Sequence, residues 1–380
     1  MAKFSERVGR VEPSATLRIS DLASSLESEG ADVVDLSVGE PDFTTPEHIR
    51  EEAKAALDRG ETGYTPTKGI PDLREAIAHK LREENRLSVE RDEIYVTPGA
   101  KDALFESIFS LLSEGDEAVL LDPAWVSYEA IVKMAGGEIN RVQLDPETGF
   151  TPGSVDLAEH VSDDTRLMIV NTPSNPSGAV FSKDELKEIR DLAVDHDFWV
   201  VSDEIYEKII YDAEHHSLGA MDGMANRTIT VNGFSKAYAM TGWRLGYFTA
   251  PEEFLDEAGK VHSHSVSCAT NFAQWGGLAA LDGTHEPVES MRDTFESRRD
   301  LLMDALADIG VDMPEPKGAF YAFVPVETDD DAALAEEILQ EEHVATTPGS
   351  AFGVDGYLRM SYAASEERIK EGVERISDYV

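Results

Sequence analysis

Residues 167–206 read LMIVNTPSNPSGAVFSKDELKEIRDLAVDHDFWVVSDEIY. Leu167 to Val170 is a short apolar run bounded by a turn-rich stretch, and Trp199 to Ser202 is a second. Between them, Lys183 to His196 carries apolar residues at helical spacing. Strand, helix, strand in that order is a unit of parallel sheet. The same rhythm runs in both directions from it. Upstream, Ile94 to Thr97 precedes a helix from Ala100, and Ala118 to Leu121 precedes one from Val126. Downstream lie the runs Thr228 to Val231 and Leu245 to Thr249. The expected fold class is therefore α/β, a mostly parallel sheet with helices on both faces.

Outside this block the pattern changes. The first ~45 residues look irregular except for a helix around Arg18 to Glu29. Thr45-Pro46 opens a helix as N-cap and first helical residue, Gly60 closes it, and Pro71-Asp72 opens another running to about Asn85. After Gly283 a long helix from about Val288 to Ile309 leads to Ala319 to Val324, Val344 to Thr347, Leu358 to Tyr362 and a terminal helix. The expectation is a large domain over 46–283 and a smaller α+β domain over 284–380, with the 1–45 segment packing on the latter.

Composition narrows the function. The chain has 380 residues, 41% hydrophobic, which is enough for a large core and excludes a disordered chain. One cysteine, Cys268, excludes a disulfide framework or a cysteine-held cluster. Seventy-five acidic residues face 33 basic ones, a formal charge of −42 spread over the whole chain. Such a surface repels nucleic acid and anionic lipid, and it fits a protein of a salt-rich cytoplasm where self-repulsion is screened. No apolar run is long enough to span a bilayer, and the opening residues lack a secretory core, so a cytoplasmic location is expected.

In parallel sheets ligands bind beyond the carboxyl ends of the strands. Gly99-Ala100-Lys101, Trp125, Asn175, Asp203-Glu204-Ile205-Tyr206 and Ser235-Lys236 each follow a strand, and Arg244 precedes one. Singly, a lysine after a strand is a solvated residue, Trp125 a core residue and Asp203 a helix cap. Their convergence on one sheet edge matches the needs of pyridoxal 5′-phosphate. Lys236 suits a Schiff base, and Asp203 suits the pyridine nitrogen. Asn175 and Tyr206 suit the phenolic oxygen, and Trp125 suits the ring face. Backbone N–H groups at 99–101, the Ser235 hydroxyl and Arg244 suit the phosphate. His215-His216 and His262-x-His264 lack a neighbouring ligand pattern, so no metal is expected. No G-x-G-x-x-G follows the first strands, which disfavours a nucleotide-linked dehydrogenase.

The pieces Gly39-Glu40-Pro41-Asp42-Phe43, Tyr64 to Gly69, Asn171 to Gly178, Ser202 to Tyr206, Ser235-Lys236 with Gly242-Trp243-Arg244, and Tyr357 to Ser361 stand in order along nearly the whole chain. Together they resemble the class I aminotransferases of the PLP-transferase fold type I, most nearly the prokaryotic aspartate aminotransferase branch. The resemblance implies a ping-pong transfer between amino acids and 2-oxo acids through a Lys236 Schiff base, with Lys236 also moving the Cα proton. It implies that Arg359 grips the substrate carboxylate, that Gly39 lies against the substrate, and that Tyr64 reaches the phosphate of a second copy in a homodimer. Lys101, with Ser14 and Thr16, is implied for a distal carboxylate. Trp125 and Asn175 face the substrate as well. Tyr128 stands where some relatives of this branch carry a histidine behind the pyridine-facing aspartate. Aromatic, alanine or prephenate transamination, a lyase acting on a sulfur amino acid, and a non-catalytic regulatory module are the alternatives. The last is disfavoured by the short N-terminal segment and the charge.

Overall fold

The computed structural model describes residues 4–380, so the first three residues of the 1–45 segment lie outside the described part. A seven-stranded sheet forms the centre. Its spatial order is Ile94–Thr97, Gly246–Thr249, Thr228–Gly233, Trp199–Asp203, Thr165–Asn171, Glu117–Asp122 and Glu138–Gln143. The last five of these run parallel. Gly246–Thr249 alone is reversed, antiparallel to both its neighbours. This reversal positions the site. It carries the start of Gly246–Thr249, and with it Arg244, to the edge where the other six strands end.

Apart from the edge strand Glu138–Gln143, the strands are buried on both faces, as parallel strands covered by helices must be. The two-residue period divides each between two cores. Ala118, Leu120, Leu167 and Ile169 pack with Leu104, Ile108, Ile131 and Val132. Val119, Leu121, Met168 and Val170 face the other way, onto Leu186, Ile189 and Ala193. Those three belong to the helix Lys183–Asp195. That helix starts at a reciprocal cap: Ser182 Oγ accepts from the Glu185 N–H, and Glu185 accepts from the Ser182 N–H at 2.6 Å. Each Val, Leu, Ile or Met side chain fully buried in these two cores contributes roughly 2 kcal/mol.

A second, three-stranded antiparallel sheet has the order Thr347–Pro348, Tyr357–Ser361, Tyr321–Pro325. The helices Glu286–Asp308, Asp331–Glu341 and Glu366–Ile376 accompany it in sequence. Val34–Asp35 pairs in parallel with Val344–Ala345, and the Ser361 N–H donates to the Leu36 carbonyl at 2.7 Å. The N-terminal stretch is thereby tied to the last sixty residues.

Several boundaries differ from the sequence reading. The first long helix spans Ala15–Glu29, three residues earlier than expected. Pro46 is the N-cap of Glu47–Asp58, not its first helical residue. Thr45 is no cap, because its hydroxyl donates to the Ala239 carbonyl at 2.5 Å and accepts from Trp243 Nε1 at 3.1 Å. The run Val344 to Thr347 divides between two sheets. The strand expected from Ala319 begins at Tyr321, since Ala319 has a left-handed φ of 57°. Glu138–Gln143, an edge strand of largely polar, half-exposed residues, showed no alternation to find. Among the described residues no helix is long and apolar enough to cross a membrane.

Candidate active site

A cavity of about 600 Å³ opens where the six strand ends meet the start of the reversed strand. Lys236, three residues beyond Thr228–Gly233, stands in its wall. Its Nζ donates to the Gly39 carbonyl and lies 5.5 Å from the Tyr206 ring centre and 5.6 Å from that of Phe320. Burial lowers the lysine's pKa to about 8, with the Arg359 charge helping and Glu40 and Asp203 opposing. An amine with that pKa has a neutral fraction available near neutrality.

Asp203 closes the strand Trp199–Asp203 and is buried. Burial raises its pKa to about 6, against the hydrogen bonds that favour its ionised form. Those bonds come from the Tyr128 hydroxyl at 2.7 Å and the Ile205 N–H at 3.2 Å. Tyr128, the departure noted in the sequence, therefore supports the aspartate directly. Asn171 braces the neighbouring loop. Its Nδ2 donates to the Asp203 carbonyl at 3.0 Å, and its Oδ1 accepts from the Asn175 N–H at 2.9 Å.

Arg359 lies in the middle strand of the small sheet, opposite Phe323 and Thr347. It is 3% exposed. Nη1 donates to Asn175 Oδ1 at 3.1 Å, and Nη2 donates to the Ser37 carbonyl and to Thr347 Oγ1 at 3.2 Å. The guanidinium carbon is 4.6 Å from the Tyr321 ring centre and 5.2 Å from that of Phe352. Its Nε has no partner, and among the described residues no carboxylate lies within ion-pair distance. Burial pulls its pKa down. A buried cation without a counter-charge is costly, and an anionic ligand removes the cost.

The helix Ala100–Leu111 opens onto the cavity at Ala100 and Lys101. Gly99 caps it at φ +92°, and a Cβ there would come within 2.5 Å of Arg244 Nη2. A Cβ at Gly246 would meet the Ala100 nitrogen at 2.3 Å. Close packing of these two glycines holds the reversed strand against the helix start, whose free N–H groups favour an anion. Ser235 and Arg244 line the same corner, Arg244 with a left-handed φ of 51° and Nη1 donating to the Thr241 carbonyl at 2.8 Å. Lys101 has no ion-pair partner among the described residues. Its Nζ sits 4.8 Å over the Trp125 ring, and desolvation and the Arg244 charge lower its pKa.

Of the residues singled out in the sequence, Thr16, Gly39, Ala100, Lys101, Trp125, Asn175, Asp203, Tyr206, Ser235, Lys236, Arg244 and Arg359 line this one cavity. Ser14 does not; its hydroxyl is 2.7 Å from that of Thr16, and Leu17 and Ser20 are the neighbours that face the cavity. Tyr64 is also away from it, 93% exposed on the surface. Glu40, Thr241 and Tyr321 line the cavity without having been singled out. Glu40 accepts from the Thr241 hydroxyl at 2.9 Å, a contact across 201 positions that no local signal announces.

One histidine of each pair does meet carboxylates supplied from elsewhere in the chain. His215 faces Glu204 and Glu207, and His262 faces Asp102 and Glu106. The Lys80 ammonium already pairs with Glu207. His262 Nε2 is 3.0 Å from the Thr67 carbonyl, and Nδ1 is 2.9 Å from Glu106, so both ring nitrogens are engaged.

A family model described as aminotransferase class I and II matches residues 31–376. The chain belongs to this family. The aminotransferase is 43% identical to the aspartate/prephenate aminotransferase of Thermus thermophilus, over 99% of its own length and 98% of the relative's. It is equally similar, at 43%, to the aspartate aminotransferase of Musicola paradisiaca, over 100% and 97%. Among solved structures, the T. thermophilus aspartate aminotransferase with maleate superposes with a TM-score of 0.95 at 43% identity, covering 100% of both chains. The aromatic aminotransferase of Pyrococcus horikoshii superposes at 0.89 with 42% identity, covering 94% and 98%. The aminotransferase thus has the fold type I architecture expected from its motifs. Its near-equal likeness to aspartate-named and aromatic-named relatives shows that overall identity does not choose the donor.

Proposed function

We propose that the enzyme holds pyridoxal 5′-phosphate on Lys236 and moves the amino group of aspartate to 2-oxoglutarate in two half-reactions. The observation that carries this reading is a pair of cations in one cavity, Arg359 and Lys101, neither with an ion-paired carboxylate among the described residues. A dicarboxylate supplies one anion to each.

The donor set suits the cofactor. Asp203 is a buried carboxylate whose ionised form a protonated pyridine nitrogen would stabilise. Ala100, Lys101, Ser235 and Arg244 offer a helix start, a hydroxyl and a cation to a phosphate. Trp125 offers a ring face, and Asn175 and Tyr206 offer donors to the phenolic oxygen. When bound, the cofactor supplies an aldehyde that condenses with amines and a ring that takes up the electron pair left at Cα.

The chain's own residues do the rest. Arg359, backed by Tyr321 and held by Asn175, orients the α-carboxylate as a planar fork. The Gly39 backbone would lie against the substrate. Lys236, once displaced by the substrate amine, would take the Cα proton and return it to the carbon beyond the amino nitrogen, a role its lowered pKa favours. Lys101 and Thr16 meet the distal carboxylate. Closure of the 284–380 domain, with the 1–45 segment, over the 46–283 domain would exclude water. The exposed Tyr64 fits a homodimer in which it serves the second copy's phosphate, and we place the enzyme in a salt-rich cytoplasm.

Aromatic donors form the second reading, favoured by Leu17, Leu104 and Trp125 in the same cavity. L-Aspartate added alone to the cofactor-loaded enzyme separates the two. The expected result is loss of the aldehyde-form absorption and one equivalent of oxaloacetate per site. An absorption unmoved by aspartate but moved by phenylalanine would reject the dicarboxylate reading. With Lys101→Ala, KM for aspartate should rise about tenfold while that for an aromatic donor stays put.

A further inference from the structure

Tyr321 is fully buried at the start of Tyr321–Pro325 and lies between the two working halves of the site. Its hydroxyl is 2.9 Å from that of Tyr206. Its ring face lies 4.6 Å from the Arg359 guanidinium carbon. A Cβ on Gly39 would come within 3.0 Å of the Tyr321 hydroxyl, so Gly39 also makes space for it. One side chain thus touches the group assigned to the cofactor's phenolic oxygen, the group assigned to the substrate carboxylate, and the loop between them.

The proton count gives this contact a direction. Each phenol has one proton, and the two hydroxyls share one hydrogen bond. If Tyr206 gave its proton to Tyr321, none would remain for the cavity. We propose that Tyr321 is a positioning residue: its O–H donates to Tyr206, leaving the Tyr206 proton to donate to the cofactor's phenolic oxygen, while its ring holds the Arg359 fork flat. This rests on the reading of Tyr206 given above. A donor that itself accepts a hydrogen bond is polarised and donates more strongly. The charged groups around the pair are Asp203, Arg359 and Lys236, with Glu40 and Arg244 acting on Lys236.

Three variants of the cofactor-loaded enzyme test it: Tyr206→Phe, Tyr321→Phe and Tyr321→Leu. The readouts are the pH titration of the bound cofactor's visible absorption and the KM for L-aspartate. A phenolic oxygen that loses its donor is more basic and keeps its neighbouring proton to higher pH. Tyr206→Phe should therefore raise the titration midpoint by about one to two pH units. Tyr321→Phe should raise it in the same direction by about half a unit, with a smaller change in KM than Tyr321→Leu because a ring still faces Arg359. Tyr321→Leu should add a rise of about tenfold in KM. A wild-type midpoint in Tyr321→Phe, with the midpoint moved in Tyr206→Phe, overturns the relay. If Tyr206→Phe leaves the midpoint in place, the underlying reading of Tyr206 falls and the relay with it. Should Tyr321→Leu fail to fold, Tyr321→Phe, which loses one oxygen, still decides the matter.

Discussion

On the outer surface many of the bases are paired with acids, and in the cavity the bases stand nearly alone. Arg368 meets Asp32 at 3.0 Å and Glu371 at 2.7 Å, Arg375 meets both again, and Lys260 meets Glu257 at 2.6 Å. In the cavity Lys101, Lys236, Arg244 and Arg359 face two carboxylates, Glu40 and Asp203, and among the described residues none of the four is ion-paired. The chain as a whole carries −42. The exposed pairs are each worth about 1 kcal/mol or less and weaken with salt. The cavity cations are costly where buried, and that cost is offset only when an anion enters. A chain this rich in acid could have paired Arg359 with one of its own carboxylates, and its packing leaves that place open.

The largest break in this contrast is Lys236→Ala. It should lower single-turnover conversion of L-aspartate by at least about a thousandfold, because the amine assigned both to the Schiff base and to the Cα proton is lost. Retained turnover would show that another group carries the proton. Next, Arg359→Lys should lower kcat/KM by about a hundredfold, since an ammonium cannot form the planar fork. Arg368→Lys on the surface is the matched control, expected within about twofold. Equal losses in the two would erase the distinction between cavity and surface.

Asp203 sharpens the comparison from the acidic side. Its folded pKa of about 6 stands above the ordinary aspartate value of about 3.9. The folded chain therefore binds this proton more tightly than the unfolded chain does. Ionised burial costs nothing below about pH 4, grows as pH rises through 6, and reaches about 3 kcal/mol above it. Cofactor-free Asp203→Asn should thus be more stable than the parent at pH 8 and close to it at pH 4, by urea unfolding. A difference independent of pH would contradict this. The smallest effects belong to the outside. Neutralising exposed Glu341 as Glu341→Gln should change stability by less than about 0.5 kcal/mol, whereas raising KCl should increase the melting temperature by screening the whole surface together.

Much of the large sheet was legible because its signals are local. Ser182 and Glu185 form a cap within four residues, and Leu186, Ile189 and Ala193 share one helix face. Glu138–Gln143 was not, because an edge strand half in solvent carries no apolar period. Val344 to Thr347 reads as one run, yet two partners far apart in sequence divide it. At the site, Lys236, Asp203, Asn175 and Arg359 announced themselves by motif. Tyr321 sat inside an apolar run that reads as plain core, and its contact with Tyr206 spans 115 positions.

The order of strands and helices, the chemical groups at the strand ends and the acid-rich surface follow from the chain's own residues. Short-range periodicity, capping and composition need no distant partner. Tertiary structure decided that one strand runs backwards and brings Arg244 to the common edge. It also decided that Tyr128 supports Asp203 and that Arg359 is buried beside two rings with no ion-paired carboxylate among the described residues. A side chain's hydration and partners depend on which distant elements pack around it, and that packing is absent from any local stretch of sequence.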